Sequence, residues 1–423
     1  MKILIKQARI INRASSHNGK VKDILIEGGV IKKIGSRLTA SGAKVCSAKN
    51  LHVSAGWFDM QVFVPDPGHE YKETLDDTCR AARLGGFTGM AVLPNTQPPR
   101  DNKAAVEYVI NRTRGQLVDV IPYGALSSQL SGEYMTEMFD MMEAGAMAFT
   151  DGKEGIQSSN LQKLALQYAL DFNGLIVSFP MDKNLAAHGV ANEGLVATQL
   201  GIPVIPALAE EIALQRDLYL ADYTGGRLHF GTLSAKRSMD LLRDARKRKL
   251  KVSGGVSAHH LLLTETALND FNSDAKLMPP LREEADRQAL IKALNDNTLQ
   301  VICSDHCPED DDEKRKEFDM AAFGASGIIT AFAVARTGVD KKVKLSTLVE
   351  AFSTNPRKIL GLPDIILEEG APANITMFDP DLPWTVTPES LSSNCINSPV
   401  LHQKLTGKAL GVINHDQLFW NIK

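Results

Sequence analysis

The chain has few of the features that mark secreted or membrane proteins. Its 423 residues include only five cysteines, which are odd in number, scattered and without a Cys-x-x-Cys spacing. Such cysteines predict reduced thiols rather than a disulfide framework. No apolar run approaches the roughly 20 residues that cross a bilayer, and the first residues alternate too strongly for a signal peptide. We therefore expect a protein that stays in the cytoplasm and has no membrane partner.

An excess of either charge is also lacking. Lysine and arginine total 47 against 50 aspartate and glutamate residues, which leaves a formal net charge of −3. A nearly balanced, interspersed surface predicts neither nucleic-acid binding nor a polybasic membrane patch. Hydrophobic residues, in contrast, make up 43% of the chain. This composition and length predict a sizeable core and one large barrel with an appendage.

Both ends of the chain alternate apolar and polar residues with the period of half-buried strands. The alternating stretches are residues 2–6, 23–27 and 30–34 near the start, and 373–379, 384–386 and 410–413 near the end. Gly28 and Gly29 are typical of a hairpin turn between two of these strands. We predict one small β-sandwich assembled from both termini, with residues 1–54 as one half and residues 363–423 as the other.

The middle of the chain, residues 55–362, alternates short apolar strands with amphipathic helical stretches. After an opening strand near residues 56–64, the apolar stretches are 89–94, 118–122, 146–149, 175–178, 227–230, 251–253 and 300–303. About eight βα units are typical of a closed parallel barrel, whose sites lie where the strands end. The predicted fold class is therefore α/β, a (β/α)8 TIM-type barrel that carries the sandwich. The charged run 309–316 is expected to be a solvated loop.

Eight short strings occur in a recognisable order within and around this barrel. They are residues 68–74, 85–88, 94–98 (Pro94-Asn95-Thr96-Gln97-Pro98), 151–152, 206–211, 259–264, 279–282 and 304–308 (Ser304-Asp305-His306-Cys307-Pro308). Together they resemble the dihydroorotases of pyrimidine biosynthesis. The resemblance runs from about residue 1 to residue 420.

The resemblance implies a zinc-dependent cyclic amidohydrolase that interconverts dihydroorotate and carbamoyl aspartate. In such an enzyme, zinc lowers the pKa of a bound water and polarises the ring carbonyl, while an aspartate moves protons. The resemblance assigns the proton-moving role to Asp305, a metal-ligand position to Asp151 and a substrate contact to Asn95.

The histidine positions that the resemblance implies hold other residues. Gln61 and Phe63 stand where the family has a His-x-His pair, and Phe179 and Thr232 stand at the two later histidine positions. Phenylalanine has no donor atom, and a glutamine amide is a poor zinc ligand beside imidazole. Only the two carboxylates of the ligand set remain. We therefore expect no metal and no cofactor, with Phe63 and Phe179 together filling the metal cavity.

The substrate contacts that the resemblance implies are also mostly replaced. Pro65 stands where the family has a carboxylate-binding arginine, Met278 where it has an asparagine, and Glu309 where it has a histidine. Asn95 alone is kept. The predicted site is a dismantled one, in which Asp305 and Asn95 are vestigial.

Other chemistry-bearing residues receive a structural interpretation. His229, His259 and His260 match family positions that are not ligands, so we expect them to make hydrogen bonds in the barrel wall. A metal site relocated to other histidines is disfavoured, because no His-x-His pair occurs. A nucleophilic role for Cys303 or Cys307 is disfavoured as well, because no His–Cys pairing is predicted.

The two surviving carboxylates leave two interpretations open. Asp151 and Asp305 form either a residual cation or proton site, or structural groups that accept hydrogen bonds from neighbouring barrel residues. We favour the structural interpretation.

Three functions follow from the sequence. The first is a non-catalytic, dihydroorotase-like protein, expected to be a homodimer, that acts as a structural partner of aspartate transcarbamoylase. The alternative is an active dihydroorotase, or another cyclic amidohydrolase, with an atypical zinc site or a metal-free base. The third, a sensor of a pathway metabolite, is disfavoured because the arginine that would bind a substrate carboxylate is absent.

Overall fold

The computed structural model describes residues 1–391 and 395–421. Its strands are β1 (Lys2–Ile11), β2 (Val21–Glu27), β3 (Val30–Gly35), β4 (Lys44–Cys46), β5 (His52–Ala55), β6 (Trp57–Val62), β7 (Phe87–Val92), β8 (Asp119–Pro122), β9 (Leu175–Ser178), β10 (Ala191–Asn192), β11 (Val204–Ile205), β12 (Arg227–Phe230), β13 (Val252–Ser257), β14 (Val301–Cys303), β15 (Ile375–Thr385), β16 (Lys404–Asn414) and β17 (Gln417–Trp420).

The α-helices are α1 (Leu75–Gly85), α2 (Lys103–Arg112), α3 (Met138–Glu143), α4 (Ser159–Tyr168), α5 (Lys183–Ala186), α6 (Leu195–Leu200), α7 (Ala207–Thr224), α8 (Lys236–Lys247), α9 (Ala258–Leu262), α10 (Glu284–Asn295), α11 (Asp311–Lys314), α12 (Ala331–Val339), α13 (Leu345–Phe352), α14 (Thr354–Leu360) and α15 (Pro388–Leu391). Within the described ranges, none of these helices has the length and apolar character needed to cross a bilayer.

Strands from both ends of the chain form one eight-stranded sheet. Its order is β17-β16-β15-β5-β1-β2-β3, with β4 paired to β1. The two ends meet where β15 pairs antiparallel with β5, so that Ile375 lies opposite Ala55. Ile3, Ile24 and Ile413 lie in one apolar cluster beside this junction. The expected joining of the termini is therefore seen as a single mixed sheet, and the boundaries of the two sandwich halves stay a prediction.

Seven parallel strands in the middle of the chain form two sheets, β6-β7-β8 and β9-β12-β13-β14. Isolated parallel bridges connect the sheets at both edges. Val62 pairs with His306 beyond β14, while Phe149 pairs with both Gly124 beyond β8 and Ile176 in β9. The stretch 146–149, predicted to be a full strand, contributes only the bridges of Phe149. Most residues of these strands are buried, as is typical of parallel strands whose two faces are both covered.

Residues at the two ends of α1, the helix after the first parallel strand, explain where it begins and ends. Thr74 caps α1 by accepting from the backbone N–H of Asp77, whose carboxylate accepts from Thr74 in return. This capping box satisfies backbone donors that the first turn leaves free. Gly86 ends the helix with φ 90°, and a Cβ there would lie 2.7 Å from the Cβ of Ala409. Only glycine fits this left-handed position.

The charged run 309–316 departs from the expected solvated loop. It contains the short helix α11, and Glu309 is buried against Lys72, whose Nζ lies 2.5 Å from its Oε2. Lys314 is buried too, and its ammonium donates to two backbone carbonyl oxygens. The prediction was wrong for these residues because burial of a charge is tolerated once the charge has partners.

Candidate active site

The residues that the sequence singled out lie at one end of the parallel strands. Gln61 is in β6, while Asn95, Phe179, Thr232 and Asp305 follow the ends of β7, β9, β12 and β14, and Asp151 follows the Phe149 bridge. Because the carboxyl ends of parallel strands lie at one edge, these side chains share a face of the barrel-type fold. On that face, however, they divide into separate hydrogen-bonded and apolar groups.

Asp151 is held by the segment that follows β8. Its Oδ1 accepts from the backbone N–H groups of Leu126 and Ser127, at 2.9 and 2.8 Å, and the Ser127 hydroxyl donates to Oδ2. Burial raises the pKa of Asp151 above its ordinary value, although these donors act in the opposite direction. Both carboxylate oxygens therefore already have protein donors, as the structural interpretation expects.

Asn95 packs against the turn that follows Asp151. Its Nδ2 donates to the Asp151 carbonyl oxygen at 3.1 Å. Its Oδ1 is buried without a hydrogen-bond partner among the described residues, and a Cβ on Gly152 would come within 1.8 Å of it. The side chain expected to contact substrate is thus fixed on the protein itself.

Asp305 faces Lys153, a residue that the sequence analysis missed. The Lys153 Nζ lies 2.9 Å from Oδ1 and 3.0 Å from Oδ2 of Asp305, and it donates to the Met278 carbonyl oxygen at 2.7 Å. Asp305 is only 5% exposed and has a left-handed φ of 53°. Burial is the largest influence on the pKa of Lys153 and acts to lower it, but the charge and hydrogen bond of Asp305, with further contributions from nearby cysteines, raise this pKa overall. Burial raises the pKa of Asp305, and the Lys153 charge acts in the opposite direction. We assign the pair as an ammonium and a carboxylate because the Nζ lies within hydrogen-bonding distance of both carboxylate oxygens.

Phe179 and Met278, which stand at two polar positions of the family, pack in one apolar cluster. Phe179 is buried with Met181 and Ile205, and Met278 packs against this cluster. Phe63 packs instead against a different cluster deeper among the strands. The expectation that both phenylalanines fill one cavity is therefore not what the clusters show. Phe179 and Met278 together make this part of the face apolar.

Buried polar atoms without partners remain at the other histidine positions. The Gln61 Oε1 and the Thr232 Oγ1 have no hydrogen-bond partner among the described residues. Gln61 lies close against Gly231, where a Cβ would come within 2.6 Å of its Oε1. An amide and a hydroxyl of this kind are costly to bury but do not form a zinc site.

The three histidines given a structural interpretation are all buried. His229 Nδ1 lies 2.8 Å from the Ser253 Oγ, and His260 Nε2 lies 3.1 Å from the Pro279 carbonyl oxygen. Burial lowers the pKa of His229 and His259 to about 3 and that of His260 to about 4. These imidazoles are neutral near pH 7, and those of His229 and His260 make hydrogen bonds to wall residues, as expected. The expectation was wrong for His259, whose buried Nε2 has no hydrogen-bond partner among the described residues.

A second buried pair joins His306 to Glu73. The Gly327 backbone N–H donates to His306 Nδ1 at 3.2 Å, so Nε2 carries a proton and donates to the Glu73 Oε1 at 2.9 Å. Both side chains are about 1% exposed. The string Ser304–Pro308 contains His306 and marked it as a residue of the site. It did not indicate that the imidazole would form a hydrogen bond with Glu73.

Cys303 and Cys307 are unreactive, and the residues at the remaining substrate-binding positions, Pro65 and Glu309, contact other protein groups. Cys303 is buried with its Sγ 3.5 Å from the Val256 carbonyl oxygen, and burial raises its pKa well above the ordinary value. Burial likewise raises the pKa of Cys307 to about 12, so neither thiol is a ready nucleophile. The Pro65 carbonyl oxygen accepts from the His69 N–H at 2.7 Å. Glu309 is paired with Lys72, as described above.

These residues do not fit a zinc ion. Within residues 1–391 and 395–421, no group of three or more histidine, cysteine, aspartate or glutamate side chains converges as a metal site. A catalytic zinc takes three protein ligands and a water. Asp151 is occupied by hydrogen-bond donors, and Asp305 is occupied by the Lys153 ammonium, which would repel a divalent cation.

Comparisons with known proteins give the family. The family described as "Dihydro-orotase-like" matches residues 52–238. The curated Dihydroorotase of Syntrophus aciditrophicus (strain SB) is 39% identical over 414 residues, 97% of this chain and 97% of that relative. The Dihydroorotase of Geotalea daltonii (strain DSM 22248 / JCM 15807 / FRC-32) is 39% identical over 412 residues, again 97% of each chain.

A solved structure supports the fold. L-Hydantoinase (dihydropyrimidinase) from Arthrobacter aurescens has a TM-score of 0.82 at 22% identity and covers 98% of this chain and 95% of its own. At this identity the likeness shows an α/β amidohydrolase fold of TIM-barrel type. From the relatives that match over its full length, this chain belongs to the dihydroorotase-like amidohydrolase family.

Proposed function

We propose that this chain is a dihydroorotase homologue that has lost hydrolysis and acts in the cytoplasm as a structural partner of aspartate transcarbamoylase. The observation that carries the loss of activity is the apolar cluster of Phe179 and Met278. The positions at which the resemblance implies a ligand histidine and a substrate-binding asparagine instead hold apolar side chains, which offer no polar atom to a metal or substrate.

The proton chemistry of the site supports the same proposal. Amide hydrolysis needs an activated water and a group that moves protons. Asp305, the group assigned to proton transfer, has both carboxylate oxygens on the Lys153 ammonium. Asn95, the retained substrate contact, is packed on the Asp151–Gly152 turn. Both residues are present, but Asp305 is paired with the Lys153 ammonium and the Asn95 amide nitrogen donates to a backbone carbonyl oxygen.

A direct assay tests the loss of activity. We expect the purified full-length chain, dialysed with zinc, to give no dihydroorotate ring opening or closure above a buffer control. Complementation of a cell that lacks dihydroorotase should give no growth. Zinc-dependent turnover that disappears in Asp305→Asn would contradict the proposal, and stoichiometric zinc by elemental analysis would contradict the site interpretation.

A second candidate is an active dihydroorotase with an atypical site. The comparisons by themselves favour this function over the first, because the curated relatives at 37–39% identity are named Dihydroorotase. Asp305 and Asn95 also stand at the strand ends where the resemblance places them. The two candidates separate in the assay above, since only the active enzyme shows turnover that depends on Asp305.

The surface of α7 offers a place for a protein partner. Leu208, Ile212, Tyr219 and Tyr223 recur at spacings of four, seven and four residues, which places them on one helix face. All four are exposed, and the two tyrosines are 71% and 76% exposed. We call these four residues the α7 stripe. Exposed apolar residues grouped on one helix face are a candidate surface for a protein partner.

We expect the α7 stripe to contact aspartate transcarbamoylase. The variant Tyr219→Glu/Tyr223→Glu should lose a joint complex that the unmodified chain forms with that enzyme in mass photometry, because it places two charges in an apolar interface. Tyr134→Glu, at a residue that is 72% exposed elsewhere, is the matched control and should keep the complex. A double variant that loses only homodimerisation would reassign the stripe to a second copy of the chain. Absence of any joint complex with the unmodified chain would contradict the partner.

A further inference from the structure

Lys153 places a positive charge among the strand ends, on the face where the family resemblance implies a metal. We propose that its ammonium is a built-in cation that takes over the structural work of the metal: it neutralises Asp305 and ties the strand-end segments together. This inference concerns the stability of the site, and it holds whether or not the chain retains a trace of hydrolysis.

The coordination of the ammonium is complete. A lysine ammonium has three N–H donors and no acceptor. Lys153 Nζ has three oxygen neighbours, the two carboxylate oxygens of Asp305 at 2.9 and 3.0 Å and the Met278 carbonyl oxygen at 2.7 Å. Lys153 is 23% exposed at its side chain, whereas the Asp305 side chain is 4% exposed. The ion pair therefore lies largely out of water.

Asp305 needs this partner because, among the residues that the structure describes, the two histidines nearest to it in this site do not supply a free cation. A buried carboxylate without a counter-charge is strongly unfavourable. His259 is neutral near pH 7, since burial lowers its pKa to about 3. His306 is already engaged with Glu73 through its Nε2. The ammonium of Lys153 is thus the positive group in direct contact with Asp305.

Lys153 and the two residues that supply its three oxygen neighbours, Asp305 and Met278, lie in separate parts of the chain. Lys153 lies in a 3₁₀ turn, Gly152–Glu154, that follows the Phe149 bridge. Asp305 follows β14, and Met278 lies in the connection between α9 and α10. A metal ion joins distant segments by binding a ligand from each, and binding of this kind contributes to folding. Lys153 joins segments in the same way without needing an ion from solution.

The test is a double-mutant cycle in the full-length chain, with unfolding followed in urea. Lys153→Met and Asp305→Asn are each expected to raise the unfolding equilibrium constant by about 100-fold or more, because each leaves the other charge without its counter-charge inside the protein. The double variant should lie closer to the unmodified chain than Lys153→Met does, since it removes both charges. Lys153→Arg keeps the charge and should be milder than Lys153→Met, which supplies a second comparison if Lys153→Met does not fold.

The neighbouring ion pair Lys183–Glu154 is the matched control. Its Nζ–Oε2 distance is also 2.9 Å, but its side chains are 51% and 55% exposed. Lys183→Met should change the unfolding equilibrium constant by less than about fivefold, as expected for a solvated pair. EDTA should leave the urea midpoint of the unmodified chain unchanged. Additive effects of Lys153→Met and Asp305→Asn, equal effects of Lys153→Met and Lys183→Met, or a midpoint that falls in EDTA would each overturn the proposal.

Discussion

A variant that carries Gln61→His, Phe63→His, Phe179→His and Thr232→His is expected to stay without stoichiometric zinc until Lys153 is also replaced. Two unit charges 4 Å apart repel by about 4 kcal/mol at an effective dielectric constant of about 20, and a divalent ion roughly doubles this. Each 1.4 kcal/mol is tenfold in affinity. These figures are an upper bound, because the Lys153 side chain is 23% exposed and solvent screens its charge. Adding Lys153→Gly should therefore tighten zinc binding by at least about 1000-fold, as measured by competition with a chelating dye.

The comparison needs two controls because the histidines enter apolar surroundings. Lys153→Gly alone should bind zinc weakly, since it has carboxylates but lacks imidazoles. Circular dichroism should show that both histidine variants are folded before their affinities are compared. Tight, stoichiometric zinc binding by the four-histidine variant with Lys153 intact would contradict this prediction. It would show that only the missing imidazoles prevent zinc binding and that the Lys153 ammonium does not.

Replacing Glu210 by alanine is expected to lower the free energy of unfolding by about 3 kcal/mol. The buried carboxylate of Glu210, on α7, accepts from the backbone N–H groups of Ser234 and Ala235 at 3.0–3.1 Å and from the Ser234 hydroxyl at 2.5 Å. These donors lie at the start of α8, whose N-cap residue Ala235 has no side-chain acceptor. An anion there satisfies free N–H groups and interacts favourably with the helix dipole. Hydrogen bonds to a charged group contribute about 1.5–3 kcal/mol each.

The adjacent Glu211 provides the control for this prediction. Glu211 is partly exposed, and Glu211→Ala should cost less than about 1 kcal/mol because it removes no helix cap. Urea unfolding of both variants measures the difference. Equal losses in the two would show that Glu210 does not act as the cap of α8. Glu210→Gln should lie between them, because its amide keeps one acceptor oxygen but places an N–H₂ group against backbone donors.

Sequence periodicity predicted most of the strands closely. The stretches 175–178 and 227–230 coincide with β9 and β12, and 118–122 differs from β8 by one residue. Runs of apolar residues bounded by turns are strong local signals because such strands are buried on both faces. The stretch 146–149 was less well predicted, since pairing depends on neighbours from elsewhere in the chain. There only Phe149 makes bridges.

The absence of metal ligands and substrate-binding residues could be predicted from single positions in the sequence. The contacts that the remaining site residues make instead could not. Phe179 and Met278 lack polar donors wherever they lie, so the sequence predicts an altered site without any structure. Lys153 was missed because a lysine two residues after an aspartate is ordinarily a solvated surface residue. Its role depends on the distance to Asp305, 152 residues away in the chain. The Lys72–Glu309 pair was missed for the same reason.

By itself, the sequence determined the α/β class, the joining of the two ends and the family, because these follow from local periodicity and from short strings in order. It also determined which ligand types are absent. Only the tertiary structure showed which groups replace the absent ligands. The fold buries Asp305 and brings Lys153 into contact with it, although the sequence alone predicts an exposed lysine at that position. A charge is defined by its residue type, but its cost and its counter-charge are defined by the fold around it.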